Sequence, residues 1–131
     1  MLNMTVENEP GQRVRVCLIG RLNTETYAQC EDRLRPVLEG DTHVLVFDLA
    51  QLEYLSSMGL RVLMKATKVL AARGGRCVLT RPQPAIRAVI DIANALPSET
   101  IFASDEEADH YLDVIQRRAK EEAEKKSRHG A

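Results

Sequence analysis

The 131-residue chain has no tryptophan, aromatic residues make up 4% of it, and it has three scattered cysteines. Because Cys17, Cys30 and Cys77 form no C-x-x-C pair, we interpret them as small apolar residues of a reducing compartment, not as disulfides or metal ligands. The formal net charge of −1 provides no basic field for nucleic acid or an anionic membrane. No apolar run approaches the roughly 20 residues of a membrane span, and the N-terminus lacks signal-peptide features. We therefore expect a cytoplasmic domain without direct nucleic-acid or membrane partners.

The sequence also lacks the common catalytic motifs. It contains no G-x-S-x-G, no G-x-x-x-x-G-K and no G-x-G-x-x-G, each of which would place a nucleophile or cradle a phosphate. His43, His110 and His129 do not have the spacing of metal ligands. A small enzyme or nucleotide-binding domain that uses Asp48 and Ser57 ranks third among our hypotheses, because Asp48 has no evident partner acid and suits a structural role better. We expect no catalysis, no cofactor and no metal.

Hydrophobic periodicity in the first half of the chain indicates two strands, then a helix and then a third strand. Apolar and polar residues alternate over 2–6 and again over 14–18, which predicts an N-terminal β-hairpin. Asn23 can cap a helix that ends at Gly40. The continuous apolar run 43–49 is typical of a central strand covered on both faces.

In the second half of the chain, helices alternate with short strands. An amphipathic helix begins near Leu60, a short strand follows at 76–81, and Pro84 opens another helix. A brief edge strand at 100–103 precedes a last helix that Ser104 caps. The order predicts an α/β fold: a mixed sheet of four to five strands, an N-terminal hairpin and then alternating helices and strands, with the helices packed on the sheet. We divide the chain into one domain, 1–116, and a charged, frayed helical tail, 117–131.

Two adjacent serines stand where the strand 43–49 leads into a helix. A hydroxyl of Ser56 or Ser57 could accept a hydrogen bond from a first-turn N–H, and such a cap is worth about 1 kcal/mol. One cap needs only one serine. Gly59 lowers helix propensity by roughly 1 kcal/mol relative to alanine, and we interpret it as removing bulk beside an accessible hydroxyl. The alternative to a cap is therefore a phosphorylation switch, since a phosphate adds about −1.5 to −2 charges.

Three stretches in order carry a resemblance to a known family. They are "GRLNTETY" (20–27), "VLVFDLAQLEYLSSMGLRVLM" (44–64) and "ARGGRCVLTRPQPAIRAVI" (72–90). The most specific part is an aromatic-aliphatic-x-Ser-x-Gly-Leu core that runs from Tyr54 to Leu60. Over residues 4–115 the chain resembles the STAS domain, and more narrowly the bacterial anti-sigma factor antagonists. The resemblance implies a STAS-like sheet with helices packed on it.

The resemblance also implies a function. Such an antagonist captures an anti-sigma factor that is itself a serine kinase with a histidine-kinase-like ATPase fold, and so frees a sigma factor. Phosphorylation of the antagonist ends the complex, and a PP2C-type phosphatase restores it; the antagonist is a substrate and not an enzyme. The register of Gly59 and Leu60 places the phosphoacceptor at Ser57, with Ser56 as the second choice. The expected partner-binding residues are Asn23, Thr24, Tyr54, Leu55, Ser56, Ser57, Met58, Gly59 and Arg61.

The chain departs from the family pattern at two positions. Many members have an aspartate immediately before the phosphoserine and another in a G-x-L-D segment, where this chain has Ser56 and Asn23. Both changes remove negative charge from the expected docking surface. The alternative hypothesis is a STAS-type scaffold or accessory subunit that binds its partner constitutively, with the serines acting only as caps. A weak homodimer stays open in either case.

Overall fold

A computed structural model describes the backbone of residues 1–129 and all of their side chains except those of 99 and 126–129. The strands are β1 (Leu2–Glu9), β2 (Arg13–Leu22), β3 (Val44–Asp48), β4 (Leu52–Leu55), β5 (Arg76–Thr80) and β6 (Ile101–Phe102). The α-helices are α1 (Tyr27–Glu39), α2 (Ser57–Ala72), α3 (Pro84–Ala93) and α4 (Asp105–His129).

Strand β2 organises the sheet because it pairs with three other strands. β1 runs antiparallel to it as a hairpin. On its other edge, residues 13–17 of β2 pair in parallel with β3, and residues 20–22 pair in parallel with β4. The sheet continues from β3 through β5 to β6, with all these strands parallel. The carboxyl ends of β2 and β4 therefore lie side by side.

Alternating residues of the central strands divide the interior into two cores. Leu45 and Phe47 of β3 belong to the larger core, which includes side chains of α1, α2 and α3. Val46, between them, belongs to the smaller core with Ala108 and Leu112 of α4. Because successive strand residues point to opposite faces, α1, α2 and α3 cover one face of the sheet and α4 covers the other.

The predicted fold class is confirmed, with a mixed sheet, an N-terminal hairpin and alternating helices and strands. The predicted strand count is too low, because the sheet has six strands within residues 1–129. The strand that the prediction missed is β4, which lies between the predicted strand 43–49 and the helix that follows it. Leu52 and Leu55 are its buried residues, three positions apart, so the segment lacks the period of two that marks a strand. The segment is a strand because it pairs with the end of β2.

The prediction that Asn23 caps helix α1 is also wrong. The helix begins at Tyr27, and its N-cap position is occupied by Thr26. The side-chain oxygen of Asn23 accepts hydrogen bonds from the backbone N–H groups of Glu25 (2.9 Å) and Thr26 (3.1 Å). Asn23 therefore stabilises a turn between β2 and α1, which is the local bonding that asparagine favours outside helices.

Helix α4 begins as predicted and continues past the residues that pack on the sheet. The Ser104 hydroxyl accepts a hydrogen bond from the Glu107 N–H at 3.2 Å. Side chains of residues 116–125 are exposed, and the helix reaches His129 without a break. Of the predicted tail 117–131, residues 130 and 131 lie outside the described residues, and its fraying stays a prediction. Within the described part of the chain, no helix combines the length and the apolarity needed to cross a bilayer.

Candidate functional site

The predicted site residues meet where β2 and β4 end. Leu22 of β2 pairs with Leu55 of β4, so the residues that follow, Asn23 and Ser56, leave the sheet at the same edge. The Ser56 N–H donates a hydrogen bond to the Leu22 carbonyl at 2.9 Å. The turn before α1 and the first turn of α2 are thereby brought together, although they are more than thirty residues apart in sequence.

Ser56 is the N-cap of α2. Its backbone is extended, with φ −87° and ψ 172°, and its hydroxyl accepts a hydrogen bond from the Gly59 N–H at 3.2 Å. Its carbonyl accepts the first helical hydrogen bond, from the Leu60 N–H at 2.8 Å. The side chain is half-buried. This geometry accounts for one of the two adjacent serines by capping alone.

Ser57 is placed differently, although it is the next residue. It is the first residue of α2, and its side chain is exposed. Its hydroxyl makes no hydrogen bond with any residue in the part of the chain that the structure describes; the cap at this helix end comes from Ser56. The hydroxyl is therefore accessible, and the helix start does not depend on it.

Gly59 has a packing role that the sequence analysis interpreted wrongly. It is buried against β2, and a Cβ at this position would lie 2.6 Å from the Leu22 carbonyl oxygen and 2.7 Å from Leu22 Cγ. These distances leave no room for a side chain. The glycine lets α2 approach the backbone of β2 closely, and it does not clear the surface beside the Ser57 hydroxyl.

The exposed part of the site combines an aromatic ring with basic groups. Tyr54 is 43% exposed, and the guanidinium of Arg21 lies 4.4 Å from its ring centroid, a distance that favours a cation–π contact. Arg61 is exposed, and its Nη1 lies 3.8 Å from the sulfur of the half-buried Met58. Thr24 is exposed on the turn before α1.

Two of the predicted partner-binding residues do not present side chains to solvent. Leu55 is 4% exposed and Gly59 is buried, so both lie beneath the exposed residues of the site and pack against the interior. Sequence reasoning missed Arg21, which reaches Tyr54 because the two residues pair between β2 and β4. The contact between Arg21 and Tyr54 depends on the pairing of β2 with β4, which the sequence analysis did not predict.

Asp48, the acid considered for an enzyme, is held in a separate polar cluster. Its carboxylate accepts a hydrogen bond from the Ala50 N–H at 3.0 Å, pairs with Arg81 and lies 3.7 Å from the Cys17 sulfur. Arg81 also lies 3.9 Å from Asp105 at the start of α4. These contacts tie strand ends to α4, as expected for a structural role.

Burial disfavours the thiolate form of all three cysteines. All three are free, and burial raises the pKa of Cys30 to about 12 and the pKa of Cys77 to about 12. Burial also raises the pKa of the half-buried Cys17. A thiol with a raised pKa is a poor nucleophile and a poor metal ligand. Among the described residues, no three His, Cys, Asp or Glu side chains are grouped so that they could hold a metal ion.

Comparisons with known proteins agree with this geometry. The family model of the STAS domain matches residues 4–108. The "Putative anti-sigma factor antagonist BtrV" of Bordetella bronchiseptica is 32% identical over 95 residues, which cover 72% of this chain and 81% of that protein. The anti-sigma factor antagonist SpoIIAA in its unphosphorylated form has a similar structure, with a TM-score of 0.73 at 20% identity over 85% of this chain and 96% of that one. SpoIIAA of Bacillus in the phosphorylated form gives a TM-score of 0.68 at 20% identity, over 84% of this chain and 99% of that one. At such identities the structures show a shared fold.

Proposed function

Since the chain belongs to the STAS domain family, and within it to the anti-sigma factor antagonists, we propose that it binds an anti-sigma factor and is released when Ser57 is phosphorylated. The partner is an anti-sigma factor with serine-kinase activity and a histidine-kinase-like ATPase fold. A PP2C-type phosphatase removes the phosphate and restores binding. In this scheme the chain is a binding module and a kinase substrate, not an enzyme.

The observation that carries the proposal is the difference between the two serines. Ser56 caps α2 through its hydroxyl, whereas Ser57 is exposed at the first helical position. A kinase needs a hydroxyl that can enter its active site without unfolding the substrate. Ser57 meets that condition, and phosphorylation there leaves the cap in place.

The position of Ser57 also explains how a phosphate could change binding without changing the fold. A phosphate of about −1.5 to −2 charges at the start of α2 would lie near the positive end of the helix dipole, which stabilises negative charge. No acidic residue occupies the first turn of α2, so no like charge in that turn opposes it. A partner that docks on this turn would meet added bulk and charge. SpoIIAA, whose structure is known in both forms, supports the idea that this fold accepts the modification.

A second candidate is a constitutive STAS-type scaffold or accessory subunit. The observation that favours it is that both residues standing in place of the family's aspartates have local structural roles. Ser56 caps α2 and Asn23 bonds the turn before α1. In that case the partner binds whether or not Ser57 is modified.

The two candidates differ in what a charge at Ser57 does. We would measure, by isothermal titration calorimetry, the affinity of an anti-sigma factor kinase from the same genome for the wild type, Ser57→Ala and Ser57→Asp. Ser98→Asp is the matched control, because Ser98 is an exposed serine on the short turn before β6. The switch predicts that Ser57→Asp weakens binding at least about tenfold, or roughly 1.4 kcal/mol, while Ser57→Ala and Ser98→Asp bind as the wild type does. Equal affinities for Ser57→Ala and Ser57→Asp would favour the scaffold.

A further inference from the structure

Every charged side chain on helix α2 is basic. The sequence of Ser57–Ala72 contains Arg61, Lys65 and Lys68 and no acidic residue. All three side chains are exposed. Their spacing of four and then three residues, starting from Ser57 four residues earlier, places them along one line on the helix. We call these three residues the α2 basic stripe.

Some charged side chains of the other helices form ion pairs within the molecule. On α1, Arg35 pairs with Asp32 at 2.9 Å, and on α3, Arg87 pairs with Asp91 at 3.1 Å. The first turns of α4 pair with the sheet, as Asp105 does with Arg15 at 3.0 Å.

No residue of the α2 basic stripe forms an ion pair with an acidic side chain in the described part of the chain. On the side of α1, Glu31, Arg35 and Glu39 line a groove together with Lys65. The two glutamates partly offset the charge of Lys65. Arg61 and Lys68 do not line that groove, and their positive charge is open to solvent.

The fold gains nothing from this arrangement. Like charges four residues apart on a helix repel each other slightly, and Arg61 lies near the positive end of the helix dipole, where a cation is unfavourable. The two neighbouring site positions, Asn23 and Ser56, are neutral and add no negative charge there. The charges are therefore better explained by something that binds to them.

We propose that the α2 basic stripe docks on an acidic face of the anti-sigma factor. This inference rests on the proposed function and adds the charge of the partner's surface. A phosphate on Ser57 would stand on the same line and cancel about two of the three positive charges of the stripe. Phosphorylation then removes the electrostatic attraction as well as adding bulk, because complementary charge steers and orients partners.

The test uses charge reversals in the full chain, with affinity for the same anti-sigma factor measured at low and at high salt. We expect Arg61→Glu to raise the Kd about tenfold or more and Lys68→Glu to raise it by a smaller factor, with a weaker salt dependence than the wild type in both. The matched control is Lys120→Glu, an exposed lysine on α4 with the same change in net charge. It should bind within about twofold of the wild type, since affinity depends on contacts at the interface. Circular dichroism melting checks that each variant is folded.

Three results would overturn the proposal. Wild-type affinity of both stripe variants, with Ser57→Asp still weakened, would reject the stripe and leave the proposed function standing. An equal loss with Lys120→Glu would show a general charge effect. Binding to phosphatidylglycerol vesicles or duplex DNA that Arg61→Glu abolishes, with unchanged affinity for the anti-sigma factor, would assign the stripe to a lipid or a nucleic acid. No anti-sigma factor binding by the wild type would instead reject the proposed function itself.

Discussion

Helices α2 and α4 lie on opposite faces of the sheet and use their side chains in opposite ways. Helix α2 contributes five buried residues to the larger core, whereas the described part of α4 contributes two, Ala108 and Leu112, to the smaller one. The first turns of α4 compensate with ion pairs to β2, through Arg13–Asp109 and Arg15–Asp105. Helix α2 is held by apolar packing, and its charged side chains form no ion pair with any described residue. The charge at the start of α4 therefore serves the fold, and the charge of α2 is available for a partner.

The largest expected effect that sharpens this comparison is the loss of stability when a buried leucine of each helix is replaced by alanine. Leu63→Ala, in a fully buried position of α2, should lower the free energy of unfolding by about 3–5 kcal/mol, because it leaves a cavity in the larger core. Leu112→Ala in α4 should cost about 2 kcal/mol, since the smaller core can relax near the surface. Urea unfolding monitored by circular dichroism measures both. Equal losses would show that the two helices depend equally on apolar packing.

A smaller effect concerns the ion pairs of α4. Burial raises the pKa of Asp105, but the hydrogen bond and charge of Arg15 and the charge of Arg81 outweigh it and hold that pKa below 3.8. A lowered carboxyl pKa means that the pair stabilises the fold above the unfolded-state pKa and that this is lost as the pH falls through the folded-state pKa. Because Asp105 is about one third exposed, Asp105→Asn should cost about 1 kcal/mol at pH 7.

The pH dependence of stability, together with a control variant, separates the contribution of the Asp105–Arg15 pair from that of the helix dipole. The difference between the wild type and Asp105→Asn should shrink when urea unfolding is repeated below pH 3.8. Glu106→Gln is the control, because Glu106 is an exposed acid of the same first turn and has no ion pair among the described residues. A cost for Glu106→Gln as large as that for Asp105→Asn would mean that the dipole, and not the Arg15 pair, is responsible.

The smallest effects are expected at the start of α2. Ser56→Ala removes the hydroxyl that accepts from the Gly59 N–H and should cost about 1 kcal/mol. Ser57→Ala should change the free energy of unfolding by a few tenths of a kcal/mol, as is usual for exposed positions without special contacts. Thermal unfolding of the two variants measures the difference. A larger loss for Ser57→Ala would contradict the division of roles between the serines.

Much of the fold followed from the sequence, because its elements have strong local signals. The hairpin has a clear alternation of apolar and polar residues, and the run 43–49 is apolar enough to indicate the central strand β3. β4 was missed because it is four residues long and is defined by its partner β2. The position of Arg21 over Tyr54 was missed for the same reason.

Part of the local geometry of the candidate site followed from the sequence. The motif placed two serines at a helix start, but only the folded structure shows that the Ser56 hydroxyl accepts a hydrogen bond from the Gly59 N–H and that Ser57 is exposed. Gly59 was misinterpreted because its close contact with the backbone of Leu22 depends on how a helix packs on a strand far away in sequence. Such contacts carry no local signal.

The most direct test of the central claim is to map phosphate on the protein as its own cells produce it. Intact and tandem mass spectrometry would be applied to the chain isolated from cells grown under several conditions. We predict one phosphate, on Ser57, whose occupancy changes with the conditions and is lowest in protein that co-purifies with the anti-sigma factor. A chain that carries no phosphate on Ser57 under any condition, while it remains bound to its partner, would contradict the switch and reduce the two serines to parts of the helix start.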